Sequence, residues 1–480
     1  MSEKKRVIVW FRQDLRLHDN EALTEAIRDG HQVVPVYVFD TRLFKGQTPF
    51  GFPKVGKFRA QFIIEAIEDL KNSLKGVGAD LVIRVGKTEE EVFKIAKVLN
   101  SNWVYCNRER TYEEVKIQDA LEEKLWSIGQ ELRYHRGKML YYTSDLPFPV
   151  AHTPDVFTQF RKEVERSVKV RKPLPSPKTI VSGIPADLEL GILPKIEDFG
   201  HEAIEPDPRI VLPFKGGETS ALKRLHYYLW ESNLAKTYFD TRNDMVGGDY
   251  STKFSPWLAQ GCISAKQIYW EIRKYEAERG ENKSTYWIIF ELLWRDFFRF
   301  MAKKYGNRIF QKGGTRGESD PKWRDDERLL SLWIEGKTGI PFIDANMIEL
   351  KNTGFMSNRG RQNVASFLVK DLLVNWQMGA EYFESILIDY DVASNWGNWN
   401  YVAGVGSDPR EDRYFNIIKQ AERYDPNGDY VRLWLPELTS VPTEKVHAPD
   451  RMTFSEQSAV KVKIGADYPK PMINTKKWFR

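Results

Sequence analysis

The 480-residue sequence predicts an α/β domain built on a doubly wound parallel sheet, then a long connector, then an all-α domain. Three observations predict it. Residues 1–135 alternate short apolar runs with stretches of helical periodicity, the pattern of a parallel sheet with crossover helices. Residues 136–214 are rich in Pro and poor in periodicity, which predicts a connector wrapping the surface. Residues 215–440 are helical in period almost throughout, and 12 of the 15 tryptophans lie at or after Trp230, so the two halves are built differently.

The strands expected in the first half are VIVWF (Val7 to Phe11), VVPVYVF (Val33 to Phe39), DLVIRVG (Asp80 to Gly86), WVYCN (Trp103 to Asn107) and ELRYHRG (Glu131 to Gly137). NEALTEAI, KFRAQFIIEAIEDLKNSL, TEEEVFKIAKVL and EEVKIQDALEEKLW read as the helices between them. No G-x-G-x-x-G follows the first strand, which argues against a dinucleotide held as in dehydrogenases. In the second half ETSALKRLHYYLW, SAKQIYWEIRKYEAE, TYWIIFELLWRDFFRFMAKKY and QNVASFLVKDLLVNWQ read as helices. Residues 441–480 have little pattern and read as a short, partly disordered tail.

Composition bounds the function. Net charge is +5, which permits an anionic partner without demanding one. Cys106 and Cys262 are too few for a disulfide framework or a thiolate metal site, and no apolar run approaches the roughly 18 residues a membrane span needs. A cytoplasmic location, no membrane, no metal and a monomeric state are the expectations. Histidine is absent from residues 227–446, which removes zinc and Ser-His hydrolytic sites from the helical half.

Chemistry-bearing residues concentrate in WQMGAEYFESILIDYDVASNWGNWNYVAGVGSDPREDRYFNIIKQ, Trp376 to Gln420, where Asp389, Asp391, Asn395, Trp396 and Trp399 crowd together. Four other motifs stand out. VWFRQDLRLHDNEAL (Val9 to Leu23) carries Arg12, Asp14, Arg16 and Asp19 after a strand, which reads as a buried ion-pair lattice against the helical domain. In GGDYSTKFSPWLAQGCIS (Gly247 to Ser264), Ser255 reads as an N-cap and Pro256 as the first helical residue, so Thr252 to Ser255 present N–H groups and hydroxyls suited to a diphosphate or to plain capping. FELLWRDFFRF places Glu291, Trp294, Arg295 and Phe298 on one helical stripe, either a site or a packed helix with a Glu291 to Arg295 pair at its rim. GFMSNRGRQNVASFLVKDLLVNW sets Asn358, Arg359, Arg361 and Gln362 at the head of a helix.

These motifs resemble the photolyase and cryptochrome family, and SNWGNWNYVAGVGSDPREDRYFN (Ser394 to Asn416) resembles its DASH-type cryptochromes in particular. The resemblance implies an α/β domain, a connector and a helical FAD-binding domain. FAD is then held by Tyr238, by Thr252, Lys253, Phe254, Ser255 and Pro256 at the phosphates, and by Glu291, Arg295, Asn358, Arg361, Asp389, Tyr390, Asp391 and Asn395. Arg361, paired with Asp389 beside the isoalloxazine, is expected to stabilise negative charge on the reduced flavin; a structural ion pair between helices is the other reading. Asn395 is expected to face flavin N5, where plant cryptochromes carry aspartate and animal cryptochromes cysteine. An amide does not readily yield a proton, which favours repair over signalling; a buried Asn serving backbone groups is the alternative. Trp399, Trp376 and Trp323 match the tryptophans that relay electrons to photoexcited oxidised flavin, although each alone reads as a core residue.

The implied reaction is light-driven splitting of a cyclobutane pyrimidine dimer by an electron from reduced FAD, with catalytic roles for Glu291, Asn395 and the three tryptophans. Arg242, Trp294, Arg359, Gln362 and Tyr401 are expected at the DNA face, where scattered surface arginines are the plainer reading. Gln362 and Tyr401 stand where double-strand photolyases usually carry methionine and tryptophan. That weakens packing on the dimer by an amount comparable to the roughly 1–3 kcal/mol of a base stack, so single-stranded DNA is the expected substrate, with RNA or duplex weaker. An antenna, 5,10-methenyltetrahydrofolate, is expected near Glu114. The alternatives are a blue-light receptor that binds DNA to regulate transcription or a partner, and a flavoprotein that transfers electrons in darkness.

Overall fold

The five strands β1 (Arg6–Phe11), β2 (Gln32–Asp40), β3 (Val82–Gly86), β4 (Trp103–Asn107) and β5 (Glu131–His135) form one parallel sheet in the order β3-β2-β1-β4-β5. The computed structural model describes residues 5–28, 31–317, 322–408 and 414–479. Helices cover both faces. Ile8, Trp10, Val34, Val36 and Val104 pack with Val92, Ile95, Leu121 and Leu125 of helices Thr88–Leu99 and Tyr112–Trp126. Val7, Val9 and Phe11 join the core that includes Phe62 and Ile67 of helix Lys57–Gly76. Burial on both faces is why the strands are apolar without alternation. Strand order reverses between β1 and β4, a switch point whose crevice opens past the carboxyl ends of the strands.

The connector is more ordered than its composition suggests. It carries an 11-residue helix, Phe157–Ser167, whose Phe157 and Phe160 pack on helix Lys283–Tyr305. It then runs along β2 and β3, where Val33 and Ile83 donate their N–H groups to Val181 and Leu190.

The expected ion-pair lattice is mostly a lattice of neutral acceptors. Arg16 donates to the carbonyls of Asp19, Gly137 and Gly261, while Asp14 takes the amide of Asn107. Among the described residues Asp19 alone of the four is ion-paired to the helical domain, to Lys266 at 2.7 Å with both side chains buried. Glu218 accepts from the N–H groups of Leu17 and His18, and Asp296 from those of Leu140 and Tyr141, so carboxylates of the helical domain clamp the first loop and the connector.

The expected tail is part of the core, which corrects the sequence reading. Tyr468 and Trp478 are each 1% exposed, and the Tyr468 hydroxyl donates to buried Asp344 at 2.5 Å. Short 3₁₀ and irregular segments bury single aromatics without a period, so no pattern announced this packing. Among the described residues no helix is long and apolar enough to cross a membrane.

Candidate functional site

The helical domain brings the expected residues together from four segments. Arg361, in helix Asn358–Ser366, makes a two-pronged pair with Asp389 at 3.0 and 2.8 Å, and its Nε donates to the Met356 carbonyl. The Asp389 side chain is 2% exposed and that of Arg361 25%, so the carboxylate is committed to this one cation. Asn395, in helix Val392–Ala403, donates Nδ2 to the Ala380 carbonyl at 3.0 Å. This is the backbone-serving geometry of the plainer reading, and the amide side chain has no acidic proton to give. Asn358 is exposed in the first turn of its helix.

The stretch expected at the phosphates differs in detail from expectation. Helix Ser255–Ala259 has five residues, its N-cap is Phe254, and no side chain caps it, so Ser255 is the first helical residue and is exposed. Lys253 adopts φ 59°, a left-handed conformation rare outside glycine and asparagine, and this turns its side chain inward over the Tyr250 ring, 3.0 Å from the centroid. Burial holds its ammonium well below the ordinary lysine range, and Glu349 offsets this only in part. Arg224, which no motif revealed, shapes the loop by donating to the carbonyls of Gly248, Ser251 and Thr252 and to Asp249. Lys253 Nζ and the hydroxyls of Tyr228 and Tyr250 are buried around this loop with no hydrogen-bond partner among the described residues. Such groups cost about 1–3 kcal/mol each when left alone, and an anionic diphosphate beside them offsets that cost, so the residues present fit FAD.

A second constellation forms a rim. Glu291 pairs with Arg242 and not with Arg295, whose guanidinium instead holds the carbonyls of Lys138 and Leu258. Burial raises the Glu291 carboxyl above its ordinary value and Arg242 pulls it back. Tyr238 lies beneath Arg242, whose guanidinium is 6.0 Å from the ring. Next to Arg242, Asn243 accepts from Arg359, which also bonds Gln362 and stacks on Tyr424. Trp294, one turn beyond Glu291, meets Tyr401 edge to face at 5.9 Å and stacks on Phe157 at 3.6 Å. Residues scattered between 157 and 424 thus line one face. That Phe157 came from the connector was not legible.

Two expected cofactor residues lead elsewhere. The Tyr390 side chain donates to Glu384 and lies under Arg59 of the α/β domain, leaving its backbone beside Asp389. Asp391 caps helix Val392–Ala403 through the Ser394 N–H and pairs with Arg299. Burial opposes its ionisation, yet Arg299 and Arg295 hold its carboxyl well below the usual range. The three expected relay tryptophans do not stack on each other. Trp376 meets Trp396 at 5.8 Å, Trp399 meets Phe383 at 5.1 Å and Trp333 at 6.5 Å, and Trp323 bonds the Val369 carbonyl. Their burial does grade outward, from Trp399 and Trp376 inside to half-buried Trp323. Helical Gly379 is required here, because a Cβ would stand 2.3 Å from the Trp399 ring.

At the switch point of the sheet lies a cleft with about 780 Å³ of atom-free space, open to solvent. Gln13 follows β1, Arg108 and Glu109 follow β4, and Arg136 and Lys138 follow β5, while Arg299 and Asp391 close it from the helical domain. Glu109 pairs with Lys138; burial works against its charge, but Lys138 and Arg12 keep the carboxyl below its ordinary range. Glu114 lines the same cleft, its carboxyl pushed up to about 7 by burial and then by the Glu109 charge. A group that binds its proton more tightly folded than unfolded adds stability below its unfolded pKa, and this is lost as pH rises through the folded value. Glu114→Gln is therefore expected to flatten the pH dependence of Tm between 4.5 and about 7, which thermal melts across that range would read.

Comparison with known proteins assigns the fold and the family. The family described as DNA photolyase matches residues 7–178, and the FAD binding domain of DNA photolyase matches residues 287–479. A cryptochrome DASH of Gloeobacter violaceus is 50% identical over 98% of this chain and 93% of its own length, and one of Xenopus laevis 49% over 99% and 91%. The crystal structure of a Synechocystis cryptochrome superposes with a TM-score of 0.96 at 48% identity, covering 100% of this chain and 98% of that one. With both halves of the fold matched and near-complete coverage of its relatives, this chain belongs to the cryptochrome DASH group of the DNA photolyase family.

Proposed function

We propose that the protein is a light-driven lyase that splits cyclobutane pyrimidine dimers, chiefly in single-stranded DNA. The observation that carries this reading is the rim on which Glu291, held by Arg242, stands one turn from the Trp294 and Tyr401 rings. A planar, apolar lesion with carbonyl edges suits such a pairing of aromatic walls with a carboxyl and a guanidinium. FAD, when bound, supplies the electron on illumination. The chain's own residues do the rest: Arg361 presents fixed positive charge, Asp389 holds it in orientation, and Asn395 offers no acidic proton. Gln362 and Tyr401 give the lesion a weaker grip than methionine and tryptophan would, and a duplex must also be unstacked at a cost of a few kcal/mol. Single strands avoid that cost.

Arg359 contributes charge at the rim. Each phosphate contact on a single strand contributes about 0.7 to the slope of log affinity against log salt, so Arg359→Ala should lower that slope by roughly this amount in a binding titration. In the cleft, Glu114 and Glu109 suit the donor edge of a pteridine, which supports 5,10-methenyltetrahydrofolate as antenna; loss of a near-UV band in Glu114→Ala protein would test it.

Repair of dimer-containing single and double strands, lit and dark, tests the main reading. Repair of single strands in light supports it; no repair of either strand by protein carrying reduced FAD overturns it. The second reading, a blue-light receptor, draws on the relatives' printed name, cryptochrome, and predicts that overturning result.

A further inference from the structure

The helical turn that accepts the indole of Trp323, the most exposed of the three relay candidates, also holds a surface phenol through a buried base. Tyr414 is 44% exposed. Its hydroxyl donates to Asp371 Oδ1 at 2.9 Å and accepts the indole N–H of Trp478. The Asp371 side chain is fully buried, and the same oxygen accepts from Lys477 at 2.5 Å. Asp371 ends a π-helical turn, Phe367–Asp371, and Val369 on that turn accepts the Trp323 indole N–H at 3.2 Å. The chain just beyond is tied to the tryptophan's own segment: Arg324 donates to the Leu373 carbonyl at 3.1 Å, and Asn375 to that of Arg324 at 2.8 Å. Leu373 reaches this register in a left-handed conformation, φ 54°, unfavourable for a leucine by roughly 1–2 kcal/mol. Val369 and Asp371 are two residues apart, with Cα atoms about 5 Å apart on a helical turn, so the Trp323 indole and the Tyr414 phenol are tied to one turn. π-turns recur at functional positions, and nothing in the flavin site or the DNA rim uses this one.

We propose that Tyr414 is the terminal electron donor of the tryptophan relay and that Asp371 accepts its proton. The proposal rests on the relay reading of Trp399, Trp376 and Trp323, in which photoexcited oxidised flavin is the oxidant that leaves the hole on Trp323. One electron then passes from Tyr414 to the Trp323 radical cation, restoring a neutral indole. The Tyr414 O–H bond breaks, a new O–H bond forms on the Asp371 carboxylate, and a neutral phenoxyl radical remains on Tyr414. Charge and atoms balance with no further reactant. The base is what makes the step favourable, because a phenol that loses an electron while keeping its proton becomes a strongly acidic cation. The exposed ring then offers the hole to a reductant in solution, while the inner tryptophans stay covered.

Flash absorption of the full-length, FAD-loaded protein with oxidised flavin and no added thiol tests this. The expected record is an indole radical signal that decays as a narrow phenoxyl band rises, more slowly in deuterated water. Tyr414→Phe should keep the indole signal, lack the phenoxyl band, and lower the yield of stable light-driven flavin reduction about tenfold. Asp371→Asn should slow the phenoxyl rise about tenfold and shrink its isotope effect. If Asp371→Asn does not fold, Tyr414→Phe decides alone, since it removes one hydroxyl from an exposed ring. Indole radicals without a phenoxyl band in the unaltered protein, or a phenoxyl band that survives Tyr414→Phe, overturn the proposal. An unaltered protein that forms no indole radical overturns the relay, and this assignment with it.

Discussion

Arg361→Ala is expected to leave the protein nearly colourless. Its guanidinium is the partner that meets both oxygens of Asp389, whose carboxylate is otherwise enclosed. Removing one member of such a pair leaves an uncompensated buried charge, a loss of about 3–5 kcal/mol. Part of that falls on the fold and part on any ligand that needs the pair in place. A loss of about 3 kcal/mol in affinity is already more than a hundredfold. The flavin-to-protein absorbance ratio after gel filtration, with a thermal melt on the same sample, reads both parts. Asp389→Asn should be milder, because the cation it strands is a quarter exposed and water can reach it. Flavin retained at the normal ratio in Arg361→Ala would remove the pair from the cofactor site and leave it a structural tie between helices.

Trp376→Phe is expected to separate two light reactions. Phenylalanine fills most of the space but is not oxidised by neighbouring indoles, so light-driven reduction of oxidised flavin should fall at least tenfold, about 1.4 kcal/mol in barrier terms. Repair by protein reduced chemically beforehand should be unchanged, since that reaction needs no relay. The substitution also forfeits the indole bond to the Lys312 carbonyl, worth about 1 kcal/mol, which a melt would register as a modest loss. Trp396→Phe is the informative companion. Trp396 is the ring that touches Trp376, at 5.8 Å, and it also bonds the Tyr390 hydroxyl. Equal losses in both variants would route the electron through Trp396; an effect in Trp376→Phe alone keeps it on the three expected tryptophans.

Where sequence reading and geometry part, the cause is direction of side chains in space. Arg295 lies four residues after Glu291 on a helix, so spacing alone pairs them, yet Arg242 arrives from a distant segment and takes the carboxylate. Lys253 sits in a stretch whose composition suits a diphosphate, and its left-handed backbone turns the ammonium inward over Tyr250. Tyr390 stands between Asp389 and Asp391 and turns to the opposite domain. Trp478 and Tyr468 follow no period, and their burial depends on grooves formed by helices more than a hundred residues earlier. None of these facts is local.

What the sequence by itself determined is whatever depends on period and on residue type: the parallel sheet with its crossover helices, the helical half, and the motifs that carry the family resemblance. Alternating runs and motif residues carry that information because hydrophobic burial and short-range hydrogen bonding act along the chain. The tertiary structure decided the cleft at the switch of strand order, the Glu291 to Arg242 tie, the inward Lys253 and the turn shared by Trp323 and Tyr414. Each of those requires segments far apart in sequence to meet at hydrogen-bonding distance, and only the packed core sets where they meet.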